Sequence, residues 1–312
     1  MMFHNRLAKR YKHLRKWASR WPTEAYRVYD RDIPEYTWTV DVYRDCVHLQ
    51  EYDRRLDDEI LDQRREEVFA AVREVFQLPD EKIFYKHRKP QVDGFQYGRQ
   101  AEAGFEMLVK EGEHSFWVNL SDYIDTGLFL DHRNLRKIVA DQIRQLTPSR
   151  QTPLRMLNLF SYTGAFSVWA AAAGAHTTTV DLSKRYLDWA VRNFEANDLD
   201  HSKHGFIRTD VVRWLQGDAQ RLNKFDIIVL DPPTNSKSKS MDGDFEVQRD
   251  HGQLILNTLK LMAPGGTLYF STNYRRFELN TRALEGRHIE EMTARTTGDD
   301  FRAGIHRSYM IM

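Results

Sequence analysis

Leu230-Asp231-Pro232-Pro233-Thr234 closes the apolar run Phe225 to Val229. A short buried strand that stops in an acid and two prolines presents a carboxylate and a fixed backbone carbonyl at a strand's carboxyl end, where open α/β sheets bind ligands. Such a turn can hold a planar nitrogen nucleophile beside an activated methyl group. An ordinary strand exit would carry the same tripeptide, because proline breaks pairing and forces a turn. What stands before it decides its weight.

Three earlier strand-to-loop junctions precede it at the spacing of repeated βα units. Arg155 to Leu159 reads as a buried strand, followed by Phe160-Ser161-Tyr162-Thr163-Gly164-Ala165-Phe166-Ser167 and an alanine-rich helix from Val168 to Ala173. Glycine and small hydroxyls at such a turn let a ligand approach the backbone and the free N–H groups of the helix start. The strand Thr177 to Val180 ends at Asp181-Leu182-Ser183; an acid about twenty residues after the glycine turn suits the hydroxyls of a ribose. The third, Phe206 to Val211, offers Asp210 and Val211 to the edge and face of an adenine. Asp181 and Asp210 would equally serve as helix caps, but four junctions in order favour a ligand cleft. The loop has one glycine, not G-x-G-x-x-G, and no Walker pattern occurs, so a phosphate-free nucleoside is favoured. S-adenosylmethionine fits: ribose on Asp181, adenine near Asp210 and Val211, methionine tail over Phe160 to Gly164.

Taken together, Asp125-Thr126-Gly127-Leu128-Phe129-Leu130-Asp131-His132-Arg133, Asn158 to Gly164, Thr179 to Ser183, Asp231 to Thr234 and Phe245-Glu246-Val247-Gln248-Arg249-Asp250-His251 resemble the motifs of bacterial large-subunit rRNA methyltransferases. The resemblance is to the RlmK type, the 23S rRNA guanine-N7 enzymes also found as the carboxyl-terminal half of bifunctional RlmKL. It runs along nearly the whole chain, from Asn5-Arg6-Leu7 and Tyr26 to Asp30 onward. It implies an α/β fold: a class I, Rossmann-like S-adenosylmethionine-dependent methyltransferase domain with a mostly parallel seven-stranded sheet over 118–312, preceded by a small α+β RNA-docking domain over 24–117. It implies cofactor contacts from Tyr123, Thr126, Gly127, Phe129, Asp131, Phe160, Ser161, Tyr162, Thr163, Gly164, Ala165, Asp181, Leu182, Ser183, Asn197, Asp210, Val211 and Asp231. Chemistry would fall to Asp231, Pro232 and Pro233. Without the resemblance, Asp125 to Arg133 reads only as the start of an amphipathic helix.

A chain of 312 residues with 41% hydrophobic and 12% aromatic residues can bury a sizeable core in about two domains. Its single cysteine excludes an internal disulfide, and scattered histidines give no pattern for a structural zinc site, so no metal is expected. No apolar run approaches the roughly 20 residues that span a membrane, and no signal-peptide core opens the chain; a cytoplasmic protein is expected.

The net charge of +1 averages unequal regions. Residues 1–23 carry Arg6, Lys9, Arg10, Lys12, Arg15, Lys16 and Arg20 without an acid, while Leu7, Tyr11, Leu14, Trp17, Ala18 and Trp21 recur at helical spacing. The spacing predicts a helix with one seated face and one basic face, either a solvated surface or a phosphate contact. Lys86-His87-Arg88-Lys89 with Gly94 to Arg99 mixes charge and rings in a predicted hairpin, a composition that suits unstacked RNA. Asn235 to Ser240 reads as a polar loop after the Asp-Pro-Pro turn. Arg6, Lys9, Arg10, Lys16, Lys86, Arg88, Lys89, Lys237 and Lys239 are the expected RNA contacts. The expected partner is 23S rRNA or pre-ribosomal large-subunit RNA, with a separate guanine-N2 methyltransferase as a second candidate and a monomer or weak dimer as the assembly.

Between arm and catalytic region, Tyr36 to Tyr43, Cys46 to Tyr52, Lys82 to Tyr85 and Glu106 to Lys110 read as strands and Asp57 to Phe76 as a helix. After Asp231 a helix from Phe245 to Met262, a Pro264-Gly265-Gly266 turn, a strand Thr267 to Ser271 and a closing antiparallel edge strand His306 to Met312 are predicted.

Methylating a pyrimidine C5 requires a cysteine nucleophile. The only one, Cys46, lies in the amino-terminal module, and Ser271-Thr272-Asn273 stands where the related cytosine enzymes look to carry cysteine. A nitrogen target remains. Guanine N7 has an in-plane lone pair and needs positioning, not a base; guanine N2 is the rival, and a small-molecule or protein methyltransferase would explain the junctions as well. Thr234 occupies the place where many amine methylases put an aromatic, which leaves Tyr274, Phe277 or Phe129 to stack on the base.

Overall fold

The computed structural model describes residues 2–52, 58–88, 104–222, 224–236 and 244–312. Lys89, the 94–99 segment, Lys237 and Lys239 fall outside them. The chain divides into two compact units, Met1–Leu130 with Asp299–Arg302, and Asp131–Gly298 with Ala303–Met312. The division falls inside the Asp125 to Arg133 motif and not at residue 118.

In the first unit, α1 (Met2–Arg20) precedes β1 (Ala25–Asp30), β2 (Trp38–Tyr43), β3 (Cys46–Tyr52), α2 (Asp58–Phe76), β4 (Ile83–Arg88), β5 (Glu106–Glu111) and β6 (His114–Asn119). The sheet runs β1-β2-β3-β4, with β3 and β4 parallel. A parallel pair needs a long crossover, and α2 supplies it. The apolar face of α1, Phe3, Leu7, Leu14 and Ala18, packs into the same core as Val28, Val40, Leu49 and Val72. The predicted basic helix is therefore part of this unit. Residues 299–302 join it through polar contacts: the Arg27 N–H donates to Asp300 Oδ2 (3.2 Å), and Arg302 Nε lies 3.0 Å from Asp30 Oδ2.

The second unit contains α3 (Arg133–Leu146), β7 (Arg155–Leu159), α4 (Ala165–Ala172), β8 (His176–Asp181), α5 (Lys184–Glu195), β9 (Gly205–Arg208), α6 (Val211–Gln216), β10 (Phe225–Leu230), β11 (Asn235–Ser236), β12 (Phe245–Glu246), α7 (Val247–Leu259), β13 (Met262–Thr272), β14 (Ile289–Glu291), α8 (Thr293–Thr296) and β15 (Arg307–Ile311). Its seven-stranded sheet has the order β14-β15-β13-β10-β7-β8-β9. Strands β7 to β10 and β13 are parallel, and β15 is antiparallel to both its neighbours. Parallel strands covered on both faces read as continuous apolar runs, as in Ile227 to Leu230, all fully buried.

Three local expectations change. The closing strand is not the edge: β14 pairs outside it, Ile289 opposite Ile311. Pro264-Gly265-Gly266 does not separate two elements but lies inside β13, where the register jumps from Phe225–Met262 to Ile227–Thr267 and Gly265 takes φ +74°. Helix α7 starts at Val247, because Phe245 and Glu246 are used to pair with Ser236 and Asn235.

From β7 the chain moves outward through β8 to β9, then returns to the other side of β7 with β10. The carboxyl ends of β7 and β10 thus flank a topological switch point, the position at which doubly wound sheets leave a crevice. Phe160 follows one strand end and Asp231 the other.

Candidate active site

The loop after β7 is bent by backbone torsions that few residues adopt. Phe160 (φ +56°), Tyr162 (+50°) and Gly164 (+74°) are all left-handed, and non-glycine residues held there carry strain that the surroundings must offset. The Ser161 N–H donates to the Val180 carbonyl (3.0 Å), the Gly164 N–H to Ser161 (2.9 Å), and the buried Asn193 Nδ2 to the Thr163 carbonyl (2.9 Å). Below the loop, Asn158 Nδ2 and Thr179 Oγ1 both donate to Ser167 Oγ. Asn193 carries no motif signal and was not anticipated.

Asp181 ends β8 next to this loop. Its carboxylate accepts the Tyr162 N–H (2.9 Å) and the Ser183 N–H (2.8 Å). Burial pushes the carboxyl up to about 6, against the downward pull of those N–H groups. Ser183 in turn caps α5 by accepting the Tyr186 N–H. The buried Ser161 Oγ has no hydrogen-bond partner among the described residues. A fixed carboxylate with spare lone pairs and an unsatisfied hydroxyl on a strained loop are a donor set that fits the hydroxyls and charged tail of S-adenosylmethionine.

The other expected contacts are distributed. Ala165 is buried at the start of α4, and Leu182 is half-buried beside Asp181. Asp210 caps α6, accepting the Arg213 N–H at 3.2 Å, and Val211 is buried in the sheet core. Asn197 donates to the Asn193 carbonyl. Tyr123, Thr126, Gly127 and Phe129 belong to the first unit, where Thr126 Oγ1 is 2.7 Å from Tyr43 Oη and Gly127 has φ +103°. Asp131 opens the second unit and lies buried, its Oδ2 3.5 Å from His306 Nδ1.

At the end of β10, Asp231 does not stand alone. His132 Nε2 lies 3.1 Å from Asp231 Oδ2, with the imidazole 1% exposed and the carboxylate 19%. Burial alone would lower the imidazole's pKa, but Asp231 and Asp131 outweigh it and push the ring up to about 9. His132 Nδ1 faces Ser271 Oγ at 3.5 Å, and the His306 ring lies 5.1 Å away. His306 Nε2 is 2.8 Å from Thr296 Oγ1, itself 2.7 Å from Ser308 Oγ. His132 lies inside the Asp125 to Arg133 motif, where sequence alone gives it no role, and nothing local to His306 marks it.

Pro232 is buried, Pro233 half-buried, and the Thr234 carbonyl accepts the Val247 N–H (3.0 Å). Phe277 is not free to stack on a base: it is 3% exposed and packs on His251 and Phe270. In this unit Tyr274, half-buried, is the remaining ring of those expected. Cys46 is buried in β3 of the first unit.

The basic residues separate into outward and inward sets. Lys9 and Lys16 are exposed on α1. Arg6 is exposed but pairs with Asp32 (2.6 Å), and Arg10 donates to the Val28 and Asp300 carbonyls. Lys86, only 8% exposed, donates to the Ser121 carbonyl, so its ammonium is turned inward. Arg88 lies 3.7 Å from Asp125 and over the Tyr52 ring.

Residues 87–296 match the model of the S-adenosylmethionine-dependent methyltransferase family. The chain is 45% identical over 313 residues to ribosomal RNA large subunit methyltransferase K of Neisseria meningitidis, covering 99% of this chain and 86% of that one. It is 43% identical to methyltransferase K/L of Chromohalobacter salexigens, where 99% of this chain spans only 42% of the relative. Among solved structures, SMU.776, described as a methyltransferase and complexed with SAH, superposes with TM-score 0.73 at 26% identity, covering 99% of this chain and 81% of that one. A Streptococcus mutans protein described as SAM-dependent superposes with TM-score 0.75, also at 26% identity, covering 99% and 80%. Among the described residues no helix is long and apolar enough to cross a membrane. By these matches the chain belongs to the S-adenosylmethionine-dependent methyltransferases, within them to the family of ribosomal RNA large subunit methyltransferase K.

Proposed function

We propose that this chain methylates N7 of a guanine in large-subunit ribosomal RNA, giving 7-methylguanosine in domain V of the 23S molecule. The observation that carries the reading is the pairing of Asp231 with His132 at the sheet's switch point. Asp231 and the Pro232 carbonyl accept hydrogen bonds from the donor edge of the base and leave N7 turned toward the methyl group. S-adenosylmethionine, when bound, supplies that methyl group already activated on a sulfonium. N7 needs only placement, and proximity and orientation can lower a barrier by roughly 7 to 11 kcal/mol. Exocyclic N2, whose lone pair is delocalised and whose methylation must release a proton, is the rival target.

RNA as substrate is supported by the relatives' activity and by the outer face of α1. Lys9, Lys12, His13, Lys16 and Arg20 are exposed there, and the helix has no acid. Lys237 and Lys239, next to the Asp-Pro-Pro turn in sequence, are the further expected phosphate contacts. Extruding the base from its stack costs a few kcal/mol, which phosphate and pocket contacts offset. With rRNA as substrate we place its action in the cytoplasm; a monomer or weak dimer is the proposed assembly, and a separate guanine-N2 methyltransferase is a candidate partner.

The test is methylation of large-subunit rRNA by the purified chain, followed by nuclease digestion and mass spectrometry of the nucleosides. Appearance of 7-methylguanosine, abolished in Asp231→Ala while cofactor affinity is kept, is expected. Methyl label on N2, or on no nucleoside, would overturn the reading.

A further inference from the structure

We propose that His132 is the positioning residue that keeps Asp231 a fixed hydrogen-bond acceptor, so that methyl transfer proceeds without a general base and without release of a proton to this carboxylate. The inference rests on the reading of Asp231 as the group that holds the base.

The ring of His132 is enclosed by polar and charged groups within the second unit. Asp231 faces its Nε2 from the end of β10, and Ser271 faces its Nδ1 from β13. Asp131 precedes it in the chain, and its carboxylate, His132 and His306 bring one polar atom each within 4.8 Å of one another. From α3, the buried Arg136 guanidinium stands over the Phe166 ring, which itself lies 6.0 Å from the imidazole, and Arg133 is equally buried. Two carboxylates therefore face His132 against the repulsion of Arg136. That balance favours the cation and accounts for a ring held protonated up to about 9. Thr296 Oγ1, itself bonded to Ser308, holds His306 through Nε2, which leaves Nδ1 facing Asp131.

The chemistry follows from charge. As the bond from guanine N7 to the methyl carbon forms, the carbon–sulfur bond breaks and its electron pair stays on sulfur. The positive charge moves from the sulfonium to the purine ring, and no proton moves. A carboxylate that must stay ionised while a cationic ring forms beside it is served by a partner that neither donates its proton away nor lets the carboxylate collect one. A neutral His132 would leave the half-buried Asp231 carboxylate without its cationic partner, free to turn away from the base.

The experiment follows the His132 ring by NMR in full-length protein labelled at histidine Cε1, alongside the pH profile of methyl transfer to rRNA. His132 is expected to titrate well above the ordinary histidine range and to drop by at least a factor of about 10 in proton affinity in Asp231→Asn, one unit of pKa. kcat is expected to fall on the alkaline side with the midpoint seen by NMR. His132→Gln, which keeps a donor but carries no charge at any pH, should run near the lowered rate that the wild type reaches at alkaline pH and show no alkaline limb of its own. His132→Leu should lower kcat by on the order of 100-fold through misplacement of Asp231, with cofactor affinity unchanged. An ordinary titration of His132 in the wild-type chain, or an alkaline limb that survives in His132→Gln, overturns the proposal. Neither the NMR readout nor cofactor binding depends on the RNA: a wild-type chain that binds cofactor, titrates as expected and leaves rRNA unmethylated sinks the substrate reading instead.

Discussion

Gly164 and Ala190 meet so closely that a Cβ added to the glycine would lie 2.6 Å from the Cβ of Ala190. The glycine also has φ +74°. Two separate costs thus fall on Gly164→Ala, left-handed strain and overpacking of the loop against α5, and together they predict about 2 to 5 kcal/mol of destabilisation. Urea unfolding measures it. Adding Ala190→Gly removes the clash but not the strain, and the glycine in α5 costs about 1 kcal/mol of its own, so the double variant should fall short of wild type yet show favourable coupling. Additive losses would mean that the contact is not made.

The same loop explains why part of the site was legible in the sequence. Phe160 to Gly164, Asp181 and Asp231 each sit at a strand end, and strand ends announce themselves locally, by an apolar run followed by a turn residue. His132 and His306 meet because β15 inserts between β13 and β14, a pairing that no local pattern encodes. Strand β14 escaped for a related reason: three residues, Ile289–Glu291, are too short to show alternation and are defined by their partner. The inward turn of Lys86 and Arg10 toward backbone carbonyls was equally hidden, since a long basic side chain reads the same whether its head reaches solvent or not.

As the proposed ribose ligand, Asp181 should make cofactor affinity pH-dependent. With its carboxyl pushed up to about 6 by burial, the ionised acceptor needed by two ribose hydroxyls is lost as pH falls below that value. Calorimetric titration with S-adenosylmethionine should show full affinity above pH 7 and progressive weakening toward pH 5. Asp181→Asn should weaken binding and flatten that profile. The group's effect on the free protein has the opposite sign: a carboxyl raised above its unfolded value contributes most to stability when protonated, and that contribution is lost as pH rises from about 4 toward 6. A cofactor affinity unchanged between pH 7 and 5 would remove Asp181 from the ribose site.

The exposed face of α1 should act through salt. Lys9→Ala and Lys16→Ala remove exposed charges with no ion pair among the described residues, so each should leave stability within about 0.5 kcal/mol. Each should also lower RNA affinity across sequences and reduce the slope of log affinity against log salt by about 1. Arg10→Ala should differ, losing about 1 kcal/mol of stability with its hydrogen bonds to the Val28 and Asp300 carbonyls. Filter binding over a salt series separates the two behaviours. A salt slope unchanged in the Lys9→Ala, Lys16→Ala double variant would take α1 out of the RNA interface.

Cys46 provides the sharpest test of the reaction class. A pyrimidine carbon is activated only by a thiolate adding to the ring, and the chain has one cysteine. That thiol is buried in β3, and burial pushes its pKa up, away from the thiolate form. Low thiolate fraction and no access are the marks of an inert cysteine. Cys46→Ala should therefore keep kcat within about 2-fold while costing about 1 kcal/mol of stability from the small cavity. Maleimide should leave the native protein active. A loss of several orders of magnitude in Cys46→Ala, at preserved fold, would point to covalent chemistry at carbon, and a nitrogen nucleophile held by Asp231 would then be the wrong description of this enzyme.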